Sequence, residues 1–226
     1  MQFWIMSKKK KNVITIYVIR HGESESNVYA HENPNKPASH FGELGSSLTP
    51  KGREQAQKIV QRLKKINFTA IFSSDLLRAK ETAEIIAPHY HLPIITIHTI
   101  RERFFGEHMS KKQKWKIEKS LEKLNEKEKF AFKYFPHGES GQDVAKRFKK
   151  FLNEIIPSYS NKNILVVSHG YVMRSFLINE KFAKYDELKG GTIKNGGYFV
   201  IETDGKKYQI ISQYGITRNR GYDNEE

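Results

Sequence analysis

Two arginines and two histidines stand at or just beyond the ends of apolar runs. Arg20 and His21 follow residues 13–19, Arg78 follows Ser73-Ser74 at the end of residues 70–74, and His169 follows residues 164–168. This set suits a phosphoryl group. Arginine offers permanently charged, bidentate donors to phosphate oxygens, and a neutral imidazole can attack phosphorus. A glycine follows each histidine (Gly22 and Gly170), which would let the backbone approach a ligand closely. A leaving alkoxide also needs a proton from a carboxyl. Arg101-Glu102-Arg103 reads on its own as a solvated charge cluster. Arg78, beside Lys80 and Glu81, reads on its own as a surface salt-bridge arginine. His89 and His91 have a spacing that can chelate a metal on a strand, but no acidic or Cys partner is near, so a surface turn is the simpler reading.

The elements that must position these residues are legible. Residues 13–19, 70–74 and 164–168 are short β-branched or aliphatic runs, as in strands buried on both faces of a parallel sheet. Residues 93–97 form a further short strand. Thr49 as N-cap and Pro50 as first helical residue start a helix with Ala56, Ile59, Val60 and Leu63 on one face. Helices are expected over 76–87, ended near Pro88, over 110–129, over 143–156 with Val144, Phe148, Phe151, Leu152 and Ile155 in register, and from 170 to about 178. Residues 198–203 and 208–214 pair across a turn at Asp204-Gly205, and residues 30–48 read as a long loop. Strands alternating with helices predict an α/β sandwich on a mostly parallel sheet. In such sheets ligands bind beyond the carboxyl ends of the strands, where the arginines and histidines sit.

Five segments in order resemble the histidine phosphatase superfamily, also called the phosphoglycerate mutase-like family. They are Arg20-His21-Gly22-Glu23-Ser24 continued to Asn27, the stretch from Phe72 to Ala83, Arg101 to Gly106, Pro136-His137-Gly138-Glu139-Ser140 with Asp143 and Arg147, and Val167-Ser168-His169-Gly170. One such segment is weak evidence and five in order are strong. The resemblance covers residues 13 to about 180. It implies a three-layer α/β/α sandwich with a mostly parallel mixed sheet. It implies that His21 is the nucleophile and becomes a phosphohistidine. Arg20, Arg78 and His169 would bind the phosphoryl oxygens, and Glu102 would be the general acid, with Glu107 as the alternative. Asn27 and Ser24 are candidate substrate contacts, and Glu23 has a structural role beside a cation. No metal or cofactor is implied, because the arginines supply the positive charge.

The family holds phosphatases and phosphomutases. Phe104-Phe105-Gly106-Glu107-His108-Met109 departs from the mutase pattern and the insert up to Pro136 is short, which favours a phosphatase on a small phosphorylated metabolite. A phosphoglycerate-type mutase and a non-catalytic phosphate- or nucleic-acid-binding module are the alternatives. The insert of about 103–135, with the 30–48 loop, should cover the pocket and set specificity.

The 226 residues are divided into a basic extension (1–12), a candidate for disorder, one catalytic domain (13–216) and a polar tail (217–226). Hydrophobic residues at 38% and charged residues at 28% describe a globular chain. The absence of cysteine excludes disulfides and thiol chemistry and fits a cytoplasmic setting. No apolar run is long enough to span a bilayer, so no membrane partner is expected. The net charge of +14 is spread along the chain, and around 111–133 lysines alternate with Glu118, Glu122, Glu126 and Glu128. That is a solvated helix face, and with no recognition signature no specific nucleic acid is expected. The oligomeric state is left open.

Overall fold

The computed structural model describes residues 13–219; the expected extension (1–12) and the tail beyond residue 219 lie outside the described residues. The chain runs β1 (Ile14–Arg20), α1 (Glu25–Glu32), α2 (Pro50–Leu63), β2 (Phe68–Ser74), α3 (Leu77–Tyr90), β3 (Ile94–Ile97), α4 (Lys111–Ser120), α5 (Glu126–Ala131), α6 (Gly141–Ile155), β4 (Asn163–Ser168), α7 (Gly170–Asn179), β5 (Ile193–Thr203) and β6 (Tyr208–Ile216). The strands form one sheet in the order β3-β2-β4-β1-β5-β6. The first four are parallel, β5 lies antiparallel to β1, and β6 antiparallel to β5.

Both faces of the sheet are covered, which is why its central strands read as unbroken apolar runs. On one face Ile16, Val18, Phe72 and Val166 pack against Phe148 and Leu152 of α6 and Met173 and Phe176 of α7. On the other, Ile19, Ile71, Leu165 and Val167 pack against Ile59 and Leu63 of α2 and Ala83 and Ile86 of α3. The three layers match the expected sandwich. The chain leaving β1 goes to the α2 side, whereas α7, leaving the neighbouring β4, goes to the opposite side. Their carboxyl ends therefore flank a topological switch point, where open α/β sheets form their binding crevice.

Several boundaries differ from expectation. Residues 25–32 form α1, which buries no side chain and so carries no apolar periodicity to announce it. The expected helix over 110–129 is broken. Asn125 opens a new helix, its Oδ1 accepting the Glu128 N–H at 3.0 Å while Glu128 Oε2 accepts the Asn125 N–H at 2.9 Å. α3 runs through Pro88 and ends on His91 in the left-handed region, φ 53°. β5 starts at Ile193 rather than 198, with an irregularity between Ile193 and Tyr198. Residues 217–219, expected to open the tail, are anchored. Thr217 N–H donates to Thr192 O at 2.9 Å, and Arg218 reaches Glu187 at 2.7 Å.

Candidate active site

At the end of β1, His21 is 2% exposed and held at both ring nitrogens. Nδ1 lies 2.6 Å from the Gly22 carbonyl oxygen, which can only accept, and Arg78 Nε donates to Nε2 at 2.9 Å. A donor on one side and an acceptor on the other assign the tautomer: the proton is on Nδ1 and Nε2 carries a lone pair. Burial, and then the charges of Arg78 and Arg20, push the imidazole pKa well below its ordinary value, so the ring is neutral at neutral pH.

His169, at the end of β4, is fully buried, with its ring 5.2 Å from that of His21. Its Nε2 lies 2.8 Å from Ser74 Oγ at the end of β2. Ser74 Oγ also accepts the Leu76 N–H at 3.3 Å. The other ring nitrogen of His169, Nδ1, is a buried atom with no hydrogen-bond partner among the described residues. Burial and the Arg78 charge hold this ring neutral too. Arg20 donates to the Ile193 carbonyl at 2.5 Å, while its Nε is likewise buried and unpartnered. Arg78 is thus no surface arginine, because its guanidinium is engaged with His21.

These groups border a cavity of about 370 Å³ lined by Arg20, His21, Asn27, Arg78 and Glu102, with Tyr171 and Arg174 of α7. His169 is not part of the lining. Glu102 is fixed by the Arg103 N–H on Oε1 at 2.9 Å and the Tyr171 N–H on Oε2 at 3.4 Å. Glu107 is exposed and off the cavity. The three charges of Arg101-Glu102-Arg103 have three destinations. Arg101 forks onto Asp75 at 2.7 and 2.6 Å and reaches Glu43 at 3.0 Å, pinning the 42–45 loop beside Arg78. Arg103 is buried, bonded to Tyr171 Oη and to the Phe132 and Glu139 carbonyls.

One expectation is corrected. Ser24 does not line the cavity. It is fully buried at the start of α1, with its N–H on Asn27 Oδ1 at 3.2 Å and its Oγ 3.1 Å from Ser26 Oγ. The glycines after the histidines are both tightly packed, and Gly170 also lines the cavity. A Cβ on Gly22 would stand 2.3 Å from the Gly52 carbonyl oxygen, and one on Gly170 would stand 3.2 Å from Arg20 Nε. Glu23 does pair with a cation, Lys51 at 2.8 Å.

Sequence reasoning missed Asn195, whose Nδ2 donates to the His21 carbonyl at 3.1 Å and to Asn27 Oδ1 at 3.2 Å. Gly196-Gly197 inside a strand was the available signal for the irregularity that turns it inward. Also missed were Ser74 as partner of His169, and Lys36, Lys111, Lys114 and Lys189 in the cavity wall.

Residues 16–214 match the family model described as the histidine phosphatase superfamily, branch 1. A broad-specificity phosphatase of Saccharomyces cerevisiae is 28% identical over 218 residues, covering 93% of this chain and 89% of the yeast protein. A Proteus mirabilis protein named "Probable phosphoglycerate mutase GpmB" is 31% identical over 174 residues, covering 73% of this chain and 74% of that one. The solved structure of Bacillus stearothermophilus YhfR superposes with a TM-score of 0.70 at 26% identity, covering 88% of this chain and 95% of that one.

Proposed function

This chain belongs to the histidine phosphatase superfamily, and on that premise we propose that it hydrolyses small phosphorylated metabolites through a phosphohistidine on His21, in one catalytic domain spanning residues 13–216. One observation carries the reading. The buried, unpartnered Arg20 Nε and His169 Nδ1 lie in the same strand-end cluster as Arg78 Nε on His21 Nε2. Buried polar atoms without partners are costly. In this reading a bound phosphoryl group offers oxygens to Arg20 Nε and to a proton on His169 Nδ1, and it draws the Arg78 Nε hydrogen bond from His21 Nε2 onto an oxygen, which frees the Nε2 lone pair to attack phosphorus.

In the first step the His21 Nε2–P bond forms and the bond from phosphorus to the leaving oxygen breaks. Glu102 gives that oxygen a proton. In the second step water attacks phosphorus, Glu102 takes its proton, and the N–P bond breaks to release inorganic phosphate and neutral His21. Arg20, Arg78 and His169 offset the charge on the equatorial oxygens in both steps. The arginines supply the charge a metal ion would otherwise bring, so turnover is expected to persist in chelator. The cysteine-free chain fits a cytoplasmic setting, where such substrates occur.

A phosphate-release screen over phosphorylated metabolites tests this, with His21→Ala as control. Equal release by both proteins overturns it. So does trapped phosphate on serine instead of an acid-labile phosphohistidine. Glu102→Gln should slow alkyl phosphates far more than activated aryl phosphates; if it does not, the acid is elsewhere, Glu107 first. Relatives are named as mutases as well as phosphatases, and transfer of the phosphoryl group between positions of a phosphoglycerate, rather than to water, would favour the mutase reading.

A further inference from the structure

The first residues of β5 meet the catalytic strand end at three points. β5 pairs with β1 only as far as Tyr198 opposite Ile19, and its pairing with β6 is irregular between Ile193 and Tyr198. Gly196 sits in that stretch in the left-handed region, φ 71°. The turn brings residues 193–196 against the end of β1. The Ile193 carbonyl accepts from Arg20 at 2.5 Å, the Gly196 N–H donates to the His21 carbonyl at 3.3 Å, and Asn195 Nδ2 donates to the same carbonyl at 3.1 Å.

The Asn195 contacts also fix Asn27. The His21 carbonyl can only accept, so the Asn195 atom beside it is the amide nitrogen. That nitrogen donates as well to Asn27 Oδ1 at 3.2 Å. The Ser24 N–H, which can only donate, reaches the same Asn27 oxygen at 3.2 Å. Both amides are thus oriented by backbone groups with a single role. Asn27 Oδ1 has both lone pairs taken, while its Nδ2, on a residue that lines the cavity, has no acceptor among the described residues. The Ser24 bond is the ordinary reciprocal cap of α1. The Asn195 bond is no part of that cap. It comes from a strand 168 residues further along the chain and joins the Asn27 amide to the backbone of the nucleophile.

We propose that Asn195 is a positioning residue for the phosphoryl group. Its amide ties the His21 carbonyl to the Asn27 carboxamide, so that Asn27 Nδ2 presents its N–H groups to a phosphoryl oxygen at a fixed offset from the attacking nitrogen. Asn195 itself does not line the cavity. This role rests on the phosphatase reading of the cavity. It goes beyond that reading by giving β5, which lies outside the parallel core, the alignment of a donor with the nucleophile.

A double-mutant cycle in kcat/KM tests it, on a phosphate monoester that the wild type turns over and His21→Ala does not. Asn195→Ala should lower kcat/KM about tenfold, the scale of one lost hydrogen bond. In the Asn27→Ala background the same substitution should lower it less than about twofold, because the amide it positions is gone. Equal factors in the two backgrounds would show that Asn195 serves only the fold and would overturn the role, as would no loss in Asn195→Ala. Urea unfolding checks that each variant is folded. If Asn195→Ala is not, Asn195→Leu, which keeps the volume and cannot donate, takes its place with the same expectations. A binding measurement works without turnover. The side-chain amide NMR signals of Asn27 should move on titration of the wild type with inorganic phosphate, and much less in the Asn195 variant. No response in the wild type, or an equal response in both proteins, overturns the role. If no substrate gives more phosphate with wild type than with His21→Ala, the phosphatase reading falls, and the amide response still decides whether Asn195 aims Asn27.

Discussion

Ser74 Oγ lies 2.8 Å from His169 Nε2 and accepts the Leu76 N–H. In the proposed reaction the Ser74 hydroxyl donates to Nε2, so that the His169 proton stands on Nδ1 for the transferred group. Ser74→Ala removes the partner that would fix this tautomer. We expect kcat/KM to fall about tenfold, the scale of one lost hydrogen bond. The nitrogen-15 signals of His169 should shift from Nδ1-protonated toward a mixture of tautomers. An unchanged nitrogen-15 pattern would show that Ser74 acts only in packing. His21 and His169 share a second consequence. Both are held neutral in the folded protein, chiefly by burial. In the unfolded chain they titrate near their ordinary pKa of about 6.5. Below that pH the unfolded state binds more protons than the folded one, so stability falls as pH drops from about 6.5 toward 5. Urea unfolding at a series of pH values should show this slope, and replacing both histidines with Gln should flatten it. The identities of these residues were readable from their types at strand ends. Their tautomers were not, because a tautomer depends on which atoms of distant segments meet.

The element that orders the catalytic loop is the first turn of α2. Thr49 N–H donates to the Glu23 carbonyl at 3.0 Å, Thr49 Oγ1 reaches Glu23 Oε1 at 3.0 Å, and Gly52 lies so close that a Cβ there would stand 2.0 Å from the Glu23 carbonyl oxygen. The backbone behind His21 and the start of α2 therefore pack with no side chain between them. Gly52→Ala must push them apart, and it should cost about 1–3 kcal/mol in urea unfolding, the range for overpacking a tight contact. Catalysis should fall with it, since His21 is adjacent. Lys51→Ala, which removes only the 67%-exposed partner of Glu23, should cost below about 1 kcal/mol. Equal losses would place the strength of this joint in the ion pair. Thr49 and Pro50 announced the helix correctly, yet nothing in sequence distinguishes Gly52 from an ordinary solvent-facing glycine. The same holds for α1, which lacks an apolar stripe, and for the bulged start of β5. Elements whose register comes from burial were legible; those fixed by backbone contacts to other segments were not.

At the scale of the whole molecule, the net charge of +14 is not a nucleic-acid footprint by distribution. Through α4 and α5 lysines alternate with glutamates, and Glu128, for example, is spent on capping. The concentration of charge is in the cavity, where seven cations face one carboxylate. A concave, partly apolar wall focuses such a field and raises the encounter rate of anionic substrates. Exposed charge of this kind is screened over a distance that shrinks from about 30 Å at roughly 0.01 M salt to about 8 Å at roughly 0.15 M. Arg20 and Arg78, proposed to act on the phosphoryl group, are largely withdrawn from solvent at the strand ends and are screened little. The two contributions therefore separate in kinetics. Between those salt concentrations kcat/KM for a dianionic phosphate monoester should fall several-fold, while kcat, which begins from the bound complex, should stay nearly constant. A kcat that falls in step with kcat/KM would mean that salt enters the site and competes with the phosphoryl group itself. A kcat/KM that does not move would mean that the excess charge of the chain acts only on what is already bound.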